Sequence, residues 1–365
     1  MIIMQRSSCC VCADGSALVE KFVLPNLPPT YSPPAHEASK DATIDAKWGG
    51  CVRCGSLQLM NLIDPELLYA SPHNDPSNSK VWNQHHAEFA DFVAKAITKD
   101  DDVIEIGGSS GNLALLLKEK VRGYTIMDII EYSLKIDVKF LKGNCETYEF
   151  HKDDTLVLSH VFEHLYNPFE FIKNCARNEV RDIYISNPVM NVEADIMPVD
   201  IEHTYFADDL DVQNMFERNN YRLVSKTVFG SHSYFFHFTY DTTVGTPVNN
   251  LRPGREDQLV KSFMKRKALL ENLTLEGNVF VVPAGQFGQI LYYYSKYPNI
   301  LGYLDNDVNK QGHRVYGTPF NTFPFDHIKN LESPKVVVYT RHYTDELVNQ
   351  IKETNPNATV VKVYP

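Results

Sequence analysis

The chain has 365 residues, 43% hydrophobic and 22% charged, a composition that suits a globular protein with two or three cores. A net charge of −11 argues against a nucleic-acid backbone as the main partner. Charged residues or glycine interrupt every apolar run, so no membrane span is expected. The start, MIIMQRSSCCVC, has no apolar stretch of signal-peptide length, and a cytoplasmic location is the expectation.

Three regions follow one another: residues 1–65, 66–245 and 255–365. The first holds two CxxC pairs, Cys9-x-x-Cys12 and Cys51-x-x-Cys54, which suit a structural four-cysteine zinc site with no open coordination position. Cys10 is a spare thiol beside the first pair, and Cys145 and Cys175 read as core or pocket residues. The stretch VLPNLPPTYSPPAHE has too many prolines for a helix or a central strand.

The middle region alternates strand-like and helix-like segments. A helix is predicted over His85–Thr98, a buried strand over Asp102–Ile106, and a helix over Asn112–Lys120 after a Gly-rich turn. Strands follow at Gly123–Met127, Val138–Leu141, Thr155–Leu158 and Asp182–Ser186, with a helix over Pro168–Cys175. A helix over Asp208–Arg218 and a strand pair, Tyr221–Val228 and Ser233–Thr239, close the region. The pattern predicts an α/β doubly wound sheet with one antiparallel strand. The polar Tyr240–Arg255 segment reads as a linker. The last region repeats the logic on a smaller, Rossmann-like scale. Strands are predicted at Asn278–Val282, Ile300–Leu304 and Val336–Tyr339, with helices after PAGQFGQ and around Thr344–Lys352.

The segment VIEIGGSSGNL delivers a strand to a Gly-rich turn that opens a helix. Gly107, Gly108 and Gly111 let the backbone approach a ligand, but Asn112 stands where a dinucleotide loop has its last glycine. The form Glu105-x-Gly107-x-x-x-Gly111 resembles motif I of class I methyltransferases, which bind S-adenosylmethionine. Asp128 ends the next strand, where such enzymes hold the ribose hydroxyls, and Asn144 follows the third, near the adenine. Ser159, ending the fourth, completes the predicted cofactor set.

Several segments in order, CxxC–CxxC, LLYASPHNDPSNSKVWNQHHAEFA, VIEIGGSSGNL, SHVFEHLYNPFEFI, IEHTYF, FVVPAGQFGQ and DNDVNKQGHRVYGTPF, resemble the zinc-containing sugar C-methyltransferases. That family modifies keto-deoxysugars carried on a nucleoside diphosphate. The resemblance implies a zinc module, a central cofactor domain and a C-terminal Rossmann-like domain, with the sugar nucleotide between the last two. It implies His203 as general base, Glu202 as its support and His164 as a donor to the enolate oxygen. Asp200 stands where the family has a tyrosine, and PAGQFGQ lacks the family's lysine. Tyr69 and His73 fall in the family's substrate-facing tyrosine segment. Two other readings stay open: an O- or N-methyltransferase acting on a sugar or other small metabolite, and a non-catalytic cofactor-binding protein.

Overall fold

The computed structural model describes residues 3–30, 33–34, 36–69, 80–190, 201–244, 247, 251–340 and 343–363. Asp200 and His73 lie outside them. Among the described residues no helix is long and apolar enough to cross a membrane.

The first strands are β1 (Ile3–Gln5), β2 (Leu18–Leu27), β3 (Ile44–Cys51), β4 (Leu57–Leu59) and β5 (Asn61–Ile63). Strands β2, β3 and β4 form an antiparallel meander, and β1 pairs with β5. Pro25 falls within β2, at the edge of its sheet, where a missing N–H leaves no ladder bond unmade. The Pro-rich stretch thus begins as an edge strand.

A short helix α1 (Pro65–Leu68) and helix α2 (Lys80–Val93) lead into the central sheet. Helix α2 begins earlier than its apolar stripe, because only His85, His86, Phe89, Ala90, Phe92 and Val93 are buried. The sheet's strands are β6 (Asp102–Ile106), β7 (Gly123–Asp128), β8 (Lys139–Lys142), β9 (Asp154–Ser159) and β10 (Asp182–Pro188). The two-residue β11 (Tyr205–Phe206) leaves this sheet, pairs with β4 and completes the first one. Strands β12 (Tyr221–Phe229) and β13 (Ser233–Tyr240) close the central sheet in the order β12-β13-β10-β9-β6-β7-β8. All neighbours up to β10 run parallel, while β13 is antiparallel to both β10 and β12. This is the strand order of a Rossmann-like methyltransferase sheet. Leu156, Val157 and Leu158 of β9 are wholly buried, as a strand covered on both faces requires.

The helix expected over Asn112–Lys120 is one α-turn, α3 (Ala114–Leu117), continued by a 3-10 turn at Lys118–Lys120. Helices α4 (Pro168–Arg177) and α5 (Asp209–Glu217) follow the prediction closely, and Asp208 caps α5 through a reciprocal capping box with Asp211. A long helix, α6 (Arg255–Glu271), was not visible in the sequence. Its apolar buried residues are only Leu259, Phe263 and Leu270, too sparse a stripe to read. Phe263 stacks on Phe22 of β2 at 4.9 Å, so α6 packs on the first sheet. Arg255 is buried and pairs with Asp211 at 2.7 Å, joining the start of α6 to α5.

The last region contains β14 (Val279–Val282), α7 (Gln286–Ser295), β15 (Ile300–Leu304), β16 (Thr322–Phe323), β17 (Lys335–Val338), α8 (Thr344–Thr354) and β18 (Thr359–Lys362). Its five strands are all parallel in the order β16-β15-β14-β17-β18. In both parallel sheets the order reverses beside the first strand, so the crevice for a ligand opens after β6 and after β14.

Candidate active site

Those two crevices open into one cavity of about 580 Å³. Its cofactor-side wall includes Glu105, Gly107, Gly108, Asn112, Asp128, Asn144 and Ser159. Its opposite wall is formed by the loop after β14 and the end of β15. Tyr69, His164, Glu202 and His203 line it as well.

Each residue predicted for the cofactor has a local reason for its place. Gly107 adopts φ +68°, and a Cβ there would collide with Val161. Gly108 lies over Glu105, whose Cδ would be 2.8 Å from an added Cβ. Gly111, at φ +89°, is not part of the lining. A Cβ there would press on Ile136 and Ile126, so this glycine serves the turn and its packing. Asp128 receives the Ser109 N–H at 3.4 Å, and Asn112 accepts a bond from Lys135 at 3.0 Å. Asn144 turns the loop after β8 by accepting from the Glu146 N–H at 2.9 Å. The Ser159 hydroxyl is buried with no partner among the described residues, and a polar ligand group would satisfy it.

Glu105 is 3% exposed, and burial pushes its carboxyl up to about 8, against a bond from the Tyr124 hydroxyl at 2.9 Å that favours the charged form. The folded state therefore prefers the protonated acid. That preference contributes fully below the unfolded value near 4.5 and is lost as pH rises through about 8. Glu105→Gln should match the wild-type melting temperature near pH 5 and exceed it above about pH 8, by the equivalent of a few kcal/mol at most. Parallel pH profiles for the two chains would contradict this.

His164 and His203 stack with ring centroids 4.8 Å apart. His164 Nδ1 donates to the Glu202 carbonyl at 3.0 Å, and the Tyr69 hydroxyl lies 3.3 Å from the same nitrogen. Charged, the ring also donates from Nε2, on the side of the Glu163 carboxylate 4.0 Å away. Glu202 and His203 are buried, at 4% and 8% exposure.

The segment carrying these two residues is held from the first region. The buried guanidinium of Arg6 donates to the carbonyls of Leu59 at 3.0 Å, Thr204 at 2.6 Å and Tyr166 at 2.6 Å. The Leu59 N–H donates to the Thr204 carbonyl at 2.9 Å, directly before β11. Nothing in the sequence marked Arg6, since a lone arginine near a terminus has no pattern.

The four cysteines of the CxxC pairs are buried together, each offering a sulfur within 4.8 Å of the others. The Sγ separations are 3.6 Å for Cys9–Cys54 and 3.8 Å for Cys12–Cys51. Zinc–sulfur bonds of about 2.3 Å in a tetrahedron need roughly 3.8 Å between sulfurs, so the set fits zinc. The Val11 and Cys12 N–H groups and the Gln58 amide donate to Cys9 Sγ, as around a metal-bound thiolate. Cys10 is outside this set, its thiol pushed up to about 12 by burial.

On the C-terminal wall, PAGQFGQ has no lysine of its own. Lys310 supplies one in space: its Nζ lies 3.7 Å from where a Cβ on Gly285 would stand, and pairs with Asp305 at 3.1 Å. Asp305 follows β15 directly and also accepts from the Ala284 and Asp307 N–H groups.

No family model matches the chain, and no curated protein matches it. Among solved structures it is similar to the magnesium protoporphyrin IX methyltransferase of Synechocystis PCC 6803 with bound S-adenosylmethionine. That likeness has 14% identity, covers 44% of this chain and 80% of that one, and has a TM-score of 0.34. It is also similar to an S-adenosylmethionine-dependent methyltransferase from Aquifex aeolicus, at 18% identity over 46% of this chain and 100% of that one, with a TM-score of 0.36. The assignment of the central fold rests on the strand order given above.

Proposed function

We propose that the chain is an S-adenosylmethionine-dependent methyltransferase that methylates carbon in a keto-deoxysugar carried on a nucleoside diphosphate. The observation that carries the reading is the single cavity shared by the Gly-rich loop after β6, the His164–His203 pair and the loop after β14. Bound against the first loop, S-adenosylmethionine supplies an electrophilic methyl group. The Gly107 turn and the unpartnered Ser159 hydroxyl suit it, and Asp128 is positioned for ribose hydroxyls. His203 takes the proton from the carbon beside the substrate carbonyl. His164 donates to the oxygen on which charge then develops. Glu202 holds the His164 ring through its backbone carbonyl. Zinc in the four-cysteine set is structural, since four thiolates leave no position for substrate.

The nucleotide half of the acceptor would lie on the C-terminal wall. Lys310 faces its diphosphate there, and Asp305 stands at the strand end where ribose is usually held. Lys310→Met should weaken uridine or thymidine diphosphate about tenfold in calorimetry and leave S-adenosylhomocysteine binding unchanged. Unchanged affinity for both diphosphates would count against a nucleotide-linked acceptor.

A further inference from the structure

Beside the His164–His203 pair, three more imidazoles converge from distant parts of the chain. His85 comes from α2, His160 from the turn after β9, and His232 from the turn between β12 and β13. Each offers one ring nitrogen, and the three nitrogens lie within 4.8 Å of one another. The ring centroids are 5.1 Å apart for His85–His160, 5.3 Å for His85–His232 and 5.1 Å for His160–His232. His160 holds a left-handed backbone, φ +53°, which a non-glycine residue rarely adopts without a constraint on its side chain.

One nitrogen of each ring meets a serine hydroxyl. His85 Nε2 meets the Ser186 hydroxyl at 2.7 Å, and His160 Nε2 meets Ser233 at 2.7 Å. His232 Nδ1 meets the same Ser233 hydroxyl at 2.5 Å. Such bonds fix ring orientation and leave the other nitrogen of each ring directed elsewhere, the arrangement found behind metal-ligating histidines. For His85 that nitrogen, Nδ1, is buried with no partner among the described residues. Trp82 packs 4.8 Å from both His160 and His232, and Phe229 and Phe235 pack on His85, giving an apolar shell. A carboxylate is adjacent: Glu163 Oε1 is 3.2 Å from His160 Nδ1.

We propose that His85, His160 and His232 bind one divalent transition-metal ion of the zinc, cobalt or nickel type, with Glu163 as the neighbouring carboxylate. Neutral imidazoles suit these ions, and a tetrahedral shell at about 2.0–2.1 Å needs nitrogens roughly 3.4 Å apart, which small ring rotations supply. His160, His232 and Glu163 line the cavity, so the ion's remaining position faces the acceptor and takes an oxygen donor from it. This site is separate from the four-cysteine set and does not depend on which acceptor the enzyme uses.

The test is metal content and spectrum on the full chain. Metal-stripped protein incubated with Zn2+ and desalted should hold an ion at the cysteines and a second at the histidines. His232→Gln should lose one of the two and Cys51→Ser should retain the histidine-bound one. Titration of the wild-type chain with Co2+ should give one equivalent with thiolate charge-transfer absorption and one with visible bands alone. A wild-type chain that takes up a single ion, or two equivalents that both carry thiolate bands, overturns the proposal. The cobalt spectrum is read on the wild-type chain, so the decision stands even if the variants fold poorly.

Discussion

Replacing His203 by asparagine is expected to lower the rate of methyl transfer by about 10²–10⁴-fold while S-adenosylhomocysteine binds as in the wild type. The ring is buried and stacked on His164, inside the cavity. Loss of a general base acts on the chemical step, so kcat should fall and KM for the acceptor should change little. Asparagine keeps a polar side chain of similar reach, which limits the damage to packing. An acceptor whose proton is already acidified by a neighbouring carbonyl still needs a base aligned with it, and His203 is the proposed one. Full methyl transfer by the variant with cofactor saturating would remove His203 from the mechanism.

Loss of the proposed zinc site is expected to have the second large effect, and it should reach activity as well as stability. In Cys51→Ser, or after chelation, the first region is expected to melt separately and roughly 10 °C or more below the wild type, because structural zinc supplies folding free energy directly. Cys51 ends β3, β3 pairs with β4, and β4 pairs with β11. Strand β11 begins two residues after His203, and Arg6 ties Leu59 to the intervening Thr204. The Glu202–His203 segment therefore has its scaffold outside the central sheet. Methyl transfer should fall before the central sheet unfolds, and added zinc should restore it. A variant that melts with the wild type and keeps its rate would show that the cysteines do no structural service.

The central sheet was legible in the sequence for a physical reason. Its inner strands are covered on both faces, so β6, β9 and β10 read as apolar runs between turn signals, and their ends differ from prediction by at most two residues. The last sheet was legible in β14, β15 and β17 for the same reason. The first region was not, because β4 and β5 are three residues long and β2 carries a proline. No periodicity can announce β11, which has two residues and belongs to a sheet far away in the chain. The site divides in the same way. Gly107 and Asp128 sit at strand ends, where the order of elements predicts a ligand. Lys310, Arg6 and the His85–His160–His232 group come from separate elements, and only folding brings Lys310, His160 and His232 to the cavity and Arg6 behind the Glu202–His203 segment. Gly111 belongs to the motif by spacing, yet its surroundings make it a packing residue.

Methyl transfer to a carbon of a nucleotide-linked sugar can be followed by incubating the full chain with S-adenosylmethionine labelled in its methyl group and a set of nucleoside-diphosphate keto-deoxysugars. The expected product is labelled, and its methyl group survives acid hydrolysis as part of a branched sugar. Label released or retained as a methyl ether or methylamine, or no labelled product with any acceptor, would contradict it.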